Sequence, residues 1–221
     1  LLYNTGTQVG QLVRERCGCP VTLENDGKAA ALAELQAGAL QGCCNAAVFI
    51  IGTGVGGGVV IDGKVYSGAH GVGSELGHMI VVIDGEECTC GNKGCFERYA
   101  SATAIIREAK RAVEKHPESA ILTRCGGDAE KINAKIVIDC AKEGDETAKR
   151  VFDEYVKGLA HGIVSLFNVL DPEVIVLGGG VSMAGEYLLD AVREAVRPLV
   201  FFKTLPYPSI QLAQLGADAG I

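Results

Sequence analysis

The sequence predicts an α/β fold, and three observations carry that prediction. Two apolar runs, residues 46–51 and 174–177, read as buried strands. A glycine follows each run directly, and helical patterns recur between and after them. Strand, glycine turn and helix in repeated succession are the signature of layered α/β proteins.

Each element follows from its local composition. A short helical pattern covers residues 8–15 and ends before Pro20. Val21-Thr22-Leu23 reads as a brief strand, and the polar triplet Glu24-Asn25-Asp26 stands at its end. Residues 29–41 are rich in Ala, Leu, Glu and Gln, strong helix formers, with Gly42 where a carboxyl-terminal cap would sit. After the strand at 46–51, residues 56–61 and 64–66 flank Asp62-Gly63 and predict a hairpin, because both residues tolerate the left-handed backbone of a tight turn. Helical periodicity returns over 102–115, followed by a looser stretch to about Gly127. Further helices are predicted over about 136–142 and 147–168, interrupted by Asp171-Pro172. The strand 174–177, the turn Gly178-Gly179-Gly180 and a helix over 185–196 complete the pattern. There is no short-period repeat and no low-complexity segment.

Composition narrows the function classes. The 221 residues include 27 acidic and 20 basic side chains, a net charge of −7, with 48% hydrophobic and 5% aromatic residues. This is the profile of a soluble globular protein, and the lack of a basic cluster argues against surfaces built for nucleic-acid phosphates or anionic lipid. No apolar run approaches the roughly 18 to 20 residues that span a bilayer, and the amino end lacks the basic-then-apolar pattern of a secretion signal. A cytoplasmic location is expected, with small molecules or proteins as partners. Nine cysteines, an odd number, then fit free thiols and a metal site better than a disulfide framework. The chain begins Leu1-Leu2-Tyr3 and enters loop-like sequence at once, which reads as a fragment.

Four residues stand out as metal ligands: His78, Cys88, Cys90 and Cys95. Three thiolates and an imidazole complete a tetrahedral zinc shell, and a closed shell of four protein ligands marks a structural site. Gly91 and Gly94 supply the pliant backbone of a tight knuckle. The alternative is three incidental reduced cysteines. For Cys17, Cys19, Cys43, Cys44, Cys125 and Cys140, without comparable spacing, buried inert thiols are expected.

The glycine run 52–58, with Thr53 inside it, offers bare backbone amides and a hydroxyl to a phosphate. Gly52, Gly54 and Gly57 formally match the dinucleotide fingerprint, but that fingerprint must open a helix, and Val59-Val60-Ile61 continues as strand. A dehydrogenase reading fails on that ground, and structural glycine in a hairpin is the plain alternative. Gly178, Gly179 and Gly180 are a second nucleotide candidate, since a helix amino terminus presents free amides; a tight strand-to-helix turn explains them as well. Asp26 at a strand end can take the proton of a hydroxyl that attacks a phosphoryl group, or can simply cap a helix.

In this order the motifs resemble the ROK family of sugar kinases and sugar-responsive repressors, within the actin-like ATPase superfamily. The matching segments are 51–67, Glu75-Leu76-Gly77-His78, the knuckle 88–95 continuing to Glu97 and Ser101, and 177–181, so that the likeness runs from Val21 onward. The resemblance implies an actin-like ATPase (ribonuclease H-like) fold, mostly its large carboxyl-terminal lobe. Residues 1–45 would be a remnant of the small lobe with the catalytic aspartate, and 46–221 the large lobe with the zinc knuckle and nucleotide loops. It implies ATP-dependent phosphorylation of a hexose, with Asp26 as general base, and Asn25, Glu75, His78 and Glu97 on the sugar hydroxyls. Thr53 and Gly54 would face the phosphates of ATP and Gly178, Gly179 and Gly180 the adenosine, with Mg2+ as cofactor and structural Zn2+ on His78, Cys88, Cys90 and Cys95. The alternative within the family is a repressor whose sugar site controls an amino-terminal helix-turn-helix, the one route to a nucleic-acid partner. A homodimer or tetramer is also implied.

Two departures qualify the likeness. The family's Asp-x-Gly-Gly-Thr phosphate loop is absent, so most of the small lobe is expected to precede Leu1 and to be needed for catalysis. Asp26-Gly27-Lys28 stands where many members have Asp-Ala-Asn, which removes an amide contact and bears on sugar preference. His116 and His161 read as structural or exposed, His70 as near the site, and the charges over 143–149 as a solvated helix start.

Overall fold

A computed structural model describes residues 8–216. One mixed sheet organises them. Strands β1 (Ala46–Ile51), β2 (Val55–Ile61), β3 (Lys64–Val65), β4 (Val174–Gly178) and β5 (Ser209–Leu212) lie in the order β3-β2-β1-β4-β5. The β1–β2–β3 portion is antiparallel, whereas β4 and β5 run parallel to β1. No helix of the described residues is long and apolar enough to cross a membrane.

The period of two in a strand divides its apolar residues between two cores. In β1, Ala47, Phe49 and Ile51 join the larger cluster, while Ala46 and Val48 face the smaller one. In β4, Ile175 and Leu177 go one way and Val174 and Val176 the other. A strand apolar at every position is thus what a sheet covered on both faces demands. The larger core is closed by α3 (Glu97–Ala100), α4 (Ala102–Lys115), α5 (Ala120–Arg124), α6 (Ala134–Lys142), α7 (Glu146–Leu170) and α8 (Glu186–Val196). The smaller core lies under α2 (Asp26–Ala37) and Leu40. Helix α1 (Val9–Cys17) buries no residue.

Helix starts follow capping chemistry. The side chains of Asn25, Ser101, Ser119, Asn133 and Asp145 each accept an amide hydrogen from the first turn of the helix they precede. In the hairpin, Asp62 (φ 50°) and Gly63 (φ 71°) both take the left-handed conformation that the tight turn needs. At the far end of α2, the fully buried Glu34 carboxylate accepts amide hydrogens from Ala39 (2.7 Å), Gln214 (3.3 Å) and Leu215 (2.9 Å). A buried charge held by three backbone donors is satisfied without a cation.

Several expectations are corrected. Residues 21–23 form no strand, because no strand of the sheet among the described residues pairs with them. Helix α2 begins at Asp26 instead of 29, since Asn25 caps it, and ends at Gly38 instead of Gly42; Gly42 (φ 80°) lies in the following turn. The looser stretch after α4 contains α5, and β5, short and preceded by Pro206 and Pro208, was not anticipated. Gly178 ends β4, Gly179 turns with φ 85°, and Gly180 opens a 3-10 helix, Gly180–Ala184, so the three glycines do not form the amino terminus of α8. Of the six cysteines expected to be buried, Cys17, Cys19 and Cys44 are exposed and Cys43 is half-buried.

Phe96 fixes the junction between α7 and the segment that carries Glu97. Its ring meets Phe49 edge-on, with centroids 5.5 Å apart, and its other side covers Gly162. A Cβ at Gly162 would overlap that ring, which is itself fully buried. Alanine should stabilise a helix by about 1 kcal/mol over glycine, yet overpacking costs about 1–3 kcal/mol. Gly162→Ala is therefore expected to lower the denaturation midpoint, and a raised midpoint would contradict this packing.

Candidate functional site

Four separated segments converge on one cleft of about 440 Å3. Asn25, Asp26 and Gly27 come from the start of α2; residues 52–57 from the β1–β2 turn; Ser74, Glu75 and His78 from the loop after β3; and Glu97 from α3, with Gly179 at the rim. Thus Asn25, Asp26, Thr53, Gly54, Glu75, His78, Glu97 and Gly179, all singled out from the sequence, share one surface. Gly178 lies within β4, and Gly180 lines a second cavity of about 440 Å3 with Lys135, Ile138, Asp139 and Met183. His70 is exposed and lines neither cavity. His116 is hydrogen-bonded to Glu118 at 3.2 Å, and His161 is exposed on α7.

The first wall is set by backbone proximity. A Cβ on Gly27 would fall 2.5 Å from the Gly57 amide nitrogen, so α2 reaches β2 there only because residue 27 is glycine. The glycine run therefore has a packing role beside any phosphate role. At the mouth, Asn25 Oδ1 accepts from the Lys28 amide at 3.2 Å, and Asp26 Oδ1 from the Gly27 amide at 2.9 Å. The other Asp26 oxygen has no hydrogen-bond partner among the described residues.

The β1–β2 turn is braced from three sides. Gly52 accepts the Ala102 amide at 2.8 Å, Thr103 donates its hydroxyl to the Thr53 carbonyl at 2.6 Å, and Glu97 Oε2 accepts the Val55 amide at 3.0 Å. The amides of Thr53 and Gly54 make no hydrogen bond among the described residues. Two free N–H groups on a braced glycine turn form a concavity suited to an anion.

The opposite wall is the loop after β3. Ser74, which lines the cleft, adopts φ 69°, a left-handed conformation rare for a residue with a side chain. A 3-10 turn, Leu76–His78, follows; Leu76 buries itself in the core while Glu75 and His78 stay in the cleft. No sequence signal marks Ser74, because its dihedral arises from the closure of the loop.

His78 also belongs to the cysteine cluster. The ligand atoms of His78, Cys88, Cys90 and Cys95 all lie within 4.8 Å of one another, with Cys88 Sγ 3.7 Å from His78 Nδ1 and Cys90 Sγ 3.6 Å from Cys95 Sγ. A tetrahedron of ligands about 2.0–2.3 Å from a cation has edges of roughly 3.4–3.8 Å, which the 3.7 Å and 3.6 Å separations match. Backbone bonds zip this knuckle to the histidine segment: Phe96 donates to Met79 at 2.7 Å and Val81 to Gly94 at 2.9 Å. The thiols differ. The Asn92 backbone amide holds Cys90 below its ordinary range, while burial, then the neighbouring Cys90 and Cys88, push Cys95 up to about 12. In metal-stripped protein at neutral pH, iodoacetamide is expected to label Cys90 first and Cys95 slower by about tenfold or more. Peptide mapping that found the reverse order would refute this picture of the knuckle.

Known proteins place this arrangement. The chain is 38% identical over 207 residues to a glucokinase of Thermotoga maritima, covering 94% of this chain and 65% of that protein, and thus spans about two thirds of the relative's length. It is 28% identical to a xylose repressor of Caldicellulosiruptor bescii over 92% of this chain and 51% of that one. A ROK family glucokinase from Streptomyces griseus, solved in complex with glucose and AMPPNP, superposes with a TM-score of 0.89 at 38% identity, over 96% of this chain and 69% of that one. The ROK family as a whole matches residues 4–221. The chain belongs to the ROK family, with the α/β architecture of an actin-like ATPase.

Proposed function

We propose that this chain carries the sugar site and part of the nucleotide site of an ATP-dependent hexose kinase. The observation that carries the reading is the convergence of a carboxylate, Asp26, with a polar wall of Asn25, Glu75, His78 and Glu97 and a glycine turn, around one cleft. Support also comes from the glucokinase likeness, stronger than that to repressors.

In this reading Asp26 is the general base. Its oxygen free of the Gly27 amide takes the proton of the attacking sugar hydroxyl. Glu75, Glu97 and the ring of His78 accept or donate to the remaining hydroxyls, as carboxylates and imidazole suit a polyol. Asn25 has its oxygen committed to the Lys28 amide, which leaves its NH2 to donate to the sugar. Holding the hydroxyl in line with the phosphoryl group is the main contribution of such residues.

The free amides of Thr53 and Gly54 would receive the nucleotide phosphates, and Gly178, Gly179 and Gly180 would border the adenosine, with the second cavity beside Gly180 as room for the base. Magnesium, when bound with the nucleotide, neutralises charge that develops on the transferring group. Zinc is the metal we assign to His78, Cys88, Cys90 and Cys95; with four protein ligands it is structural. With Nδ1 toward the thiols, His78 keeps Nε2 for the sugar.

The test is phosphorylation by the natural full-length protein with magnesium-ATP over a panel of hexoses. Turnover of at least one hexose is expected, and Asp26→Asn should cut kcat by about 10^2–10^4-fold with sugar binding retained. Unchanged turnover in that variant would sink the base assignment. Sugar binding with no turnover of any hexose would favour a sugar-responsive repressor instead. Elemental analysis should find one zinc per chain, and Cys90→Ser should weaken hexose affinity through the loop that carries His78. Full affinity in a zinc-free protein would break that link.

A further inference from the structure

Lys28 is 2% exposed, and among the described residues no carboxylate lies within ion-pair distance of it. A buried ammonium without a counter-ion is costly, and a methionine would fill the same space without that cost. What the ammonium does in return is visible: Nζ donates to the Gly71 carbonyl at 2.6 Å.

Gly71 is the tip of a small loop. The loop closes on itself where the Gly73 amide meets the Ser67 carbonyl at 2.8 Å, and Ser74 Oγ donates to the Tyr66 carbonyl at 3.0 Å. Among the described residues, 68–72 make no hydrogen bond to the rest of the chain except the one from Lys28. The tip is exposed and left-handed at Gly71 (φ 76°), so little apolar burial holds it. Ser74, with its strained backbone, and Glu75 follow directly in the cleft wall.

At its other end Lys28 belongs to the turn that bears Asp26, and its own amide is the donor that fixes Asn25 Oδ1. One residue therefore touches both walls of the cleft, by its backbone on the α2 side and by its side chain on the loop side. We propose that Lys28 is a positioning residue that ties the loop 67–75 to the base-bearing helix and so sets the distance between Asp26 and Glu75. The inference rests on the hexose-kinase reading for its kinetic consequence, but not for the tie itself. Lys28 does not line the cleft, and it acts through the residues on either side.

The experiment compares wild type, Lys28→Met and Lys28→Arg in the natural full-length protein, with D-glucose and magnesium-ATP as probes and amide hydrogen exchange as a second readout. Lys28→Met is expected to raise the KM for glucose by about tenfold, with kcat and the KM for ATP within about threefold. Exchange over 67–75 should quicken by about tenfold while residues 88–95 keep wild-type protection. Lys28→Arg, which still donates, should stay within about threefold of wild type on both readouts. A folded Lys28→Met with unchanged glucose KM and unchanged loop exchange would overturn the proposal, as would equal rises in both KM values. If Lys28→Met does not fold, Lys28→Gln, neutral and shorter, is put to the same exchange comparison with the same deciding outcomes. If wild type phosphorylates no hexose, the kinase reading falls, and exchange alone still decides whether Lys28 holds the loop.

Discussion

Helix α2 meets β2 where glycines let the two backbones approach closely, and the cleft depends on that contact. Gly27 lies against Gly57, and Gly58 lies under Ala31. A side chain at Gly27 or Gly58 would overlap the facing atoms of β2 or α2, so the helix that carries Asp26 would have to move off the sheet. Side-chain chemistry at the site is therefore secured by main-chain proximity, with the glycines serving as the floor on which the helix rests.

The opposite wall uses a different device. Its residues come from a loop, a 3-10 turn and a four-residue helix, none of which could hold a geometry alone. Order is imported from two places: the His78–Cys cluster with its backbone zipper, and the Phe96 ring seated between Phe49 and Gly162. Glu97 then joins this wall to the turn, since one carboxylate oxygen holds the Val55 amide. A cleft whose walls have separate supports keeps its shape only if they are cross-braced, and Glu97 and Lys28 are the two braces.

What could be read in advance was whatever leaves a local trace. The apolar run of β1, the Asp62-Gly63 turn and the α4 helix are written within short windows and lie where expected, and the closely spaced His78, Cys88, Cys90 and Cys95 come together in one cluster. The misses concern partners distant in sequence. Residues 21–23 look like a strand but lack a neighbouring strand among the described residues, β5 looks like a loop but finds β4, and three cysteines expected in the core are exposed. Lys28 is the sharpest case: beside Asp26 it read as a lost contact, and only the fold brings Gly71, 43 residues on, to its ammonium. The strain at Ser74 is likewise a product of loop closure.

The amides on Glu34 carry a consequence for how the chain is made. Leu215 lies 181 residues beyond Glu34, yet its amide is one of three that satisfy that buried carboxylate. Chains fold as they leave the ribosome, amino end first, so Glu34 in α2 is made 181 residues before Leu215 and meanwhile its acidic side chain has no complete lodging. Closing so long a loop is entropically slow. The helix that bears Asp26 therefore completes its seat only after residues 214 and 215 have been made, however early its own residues appear.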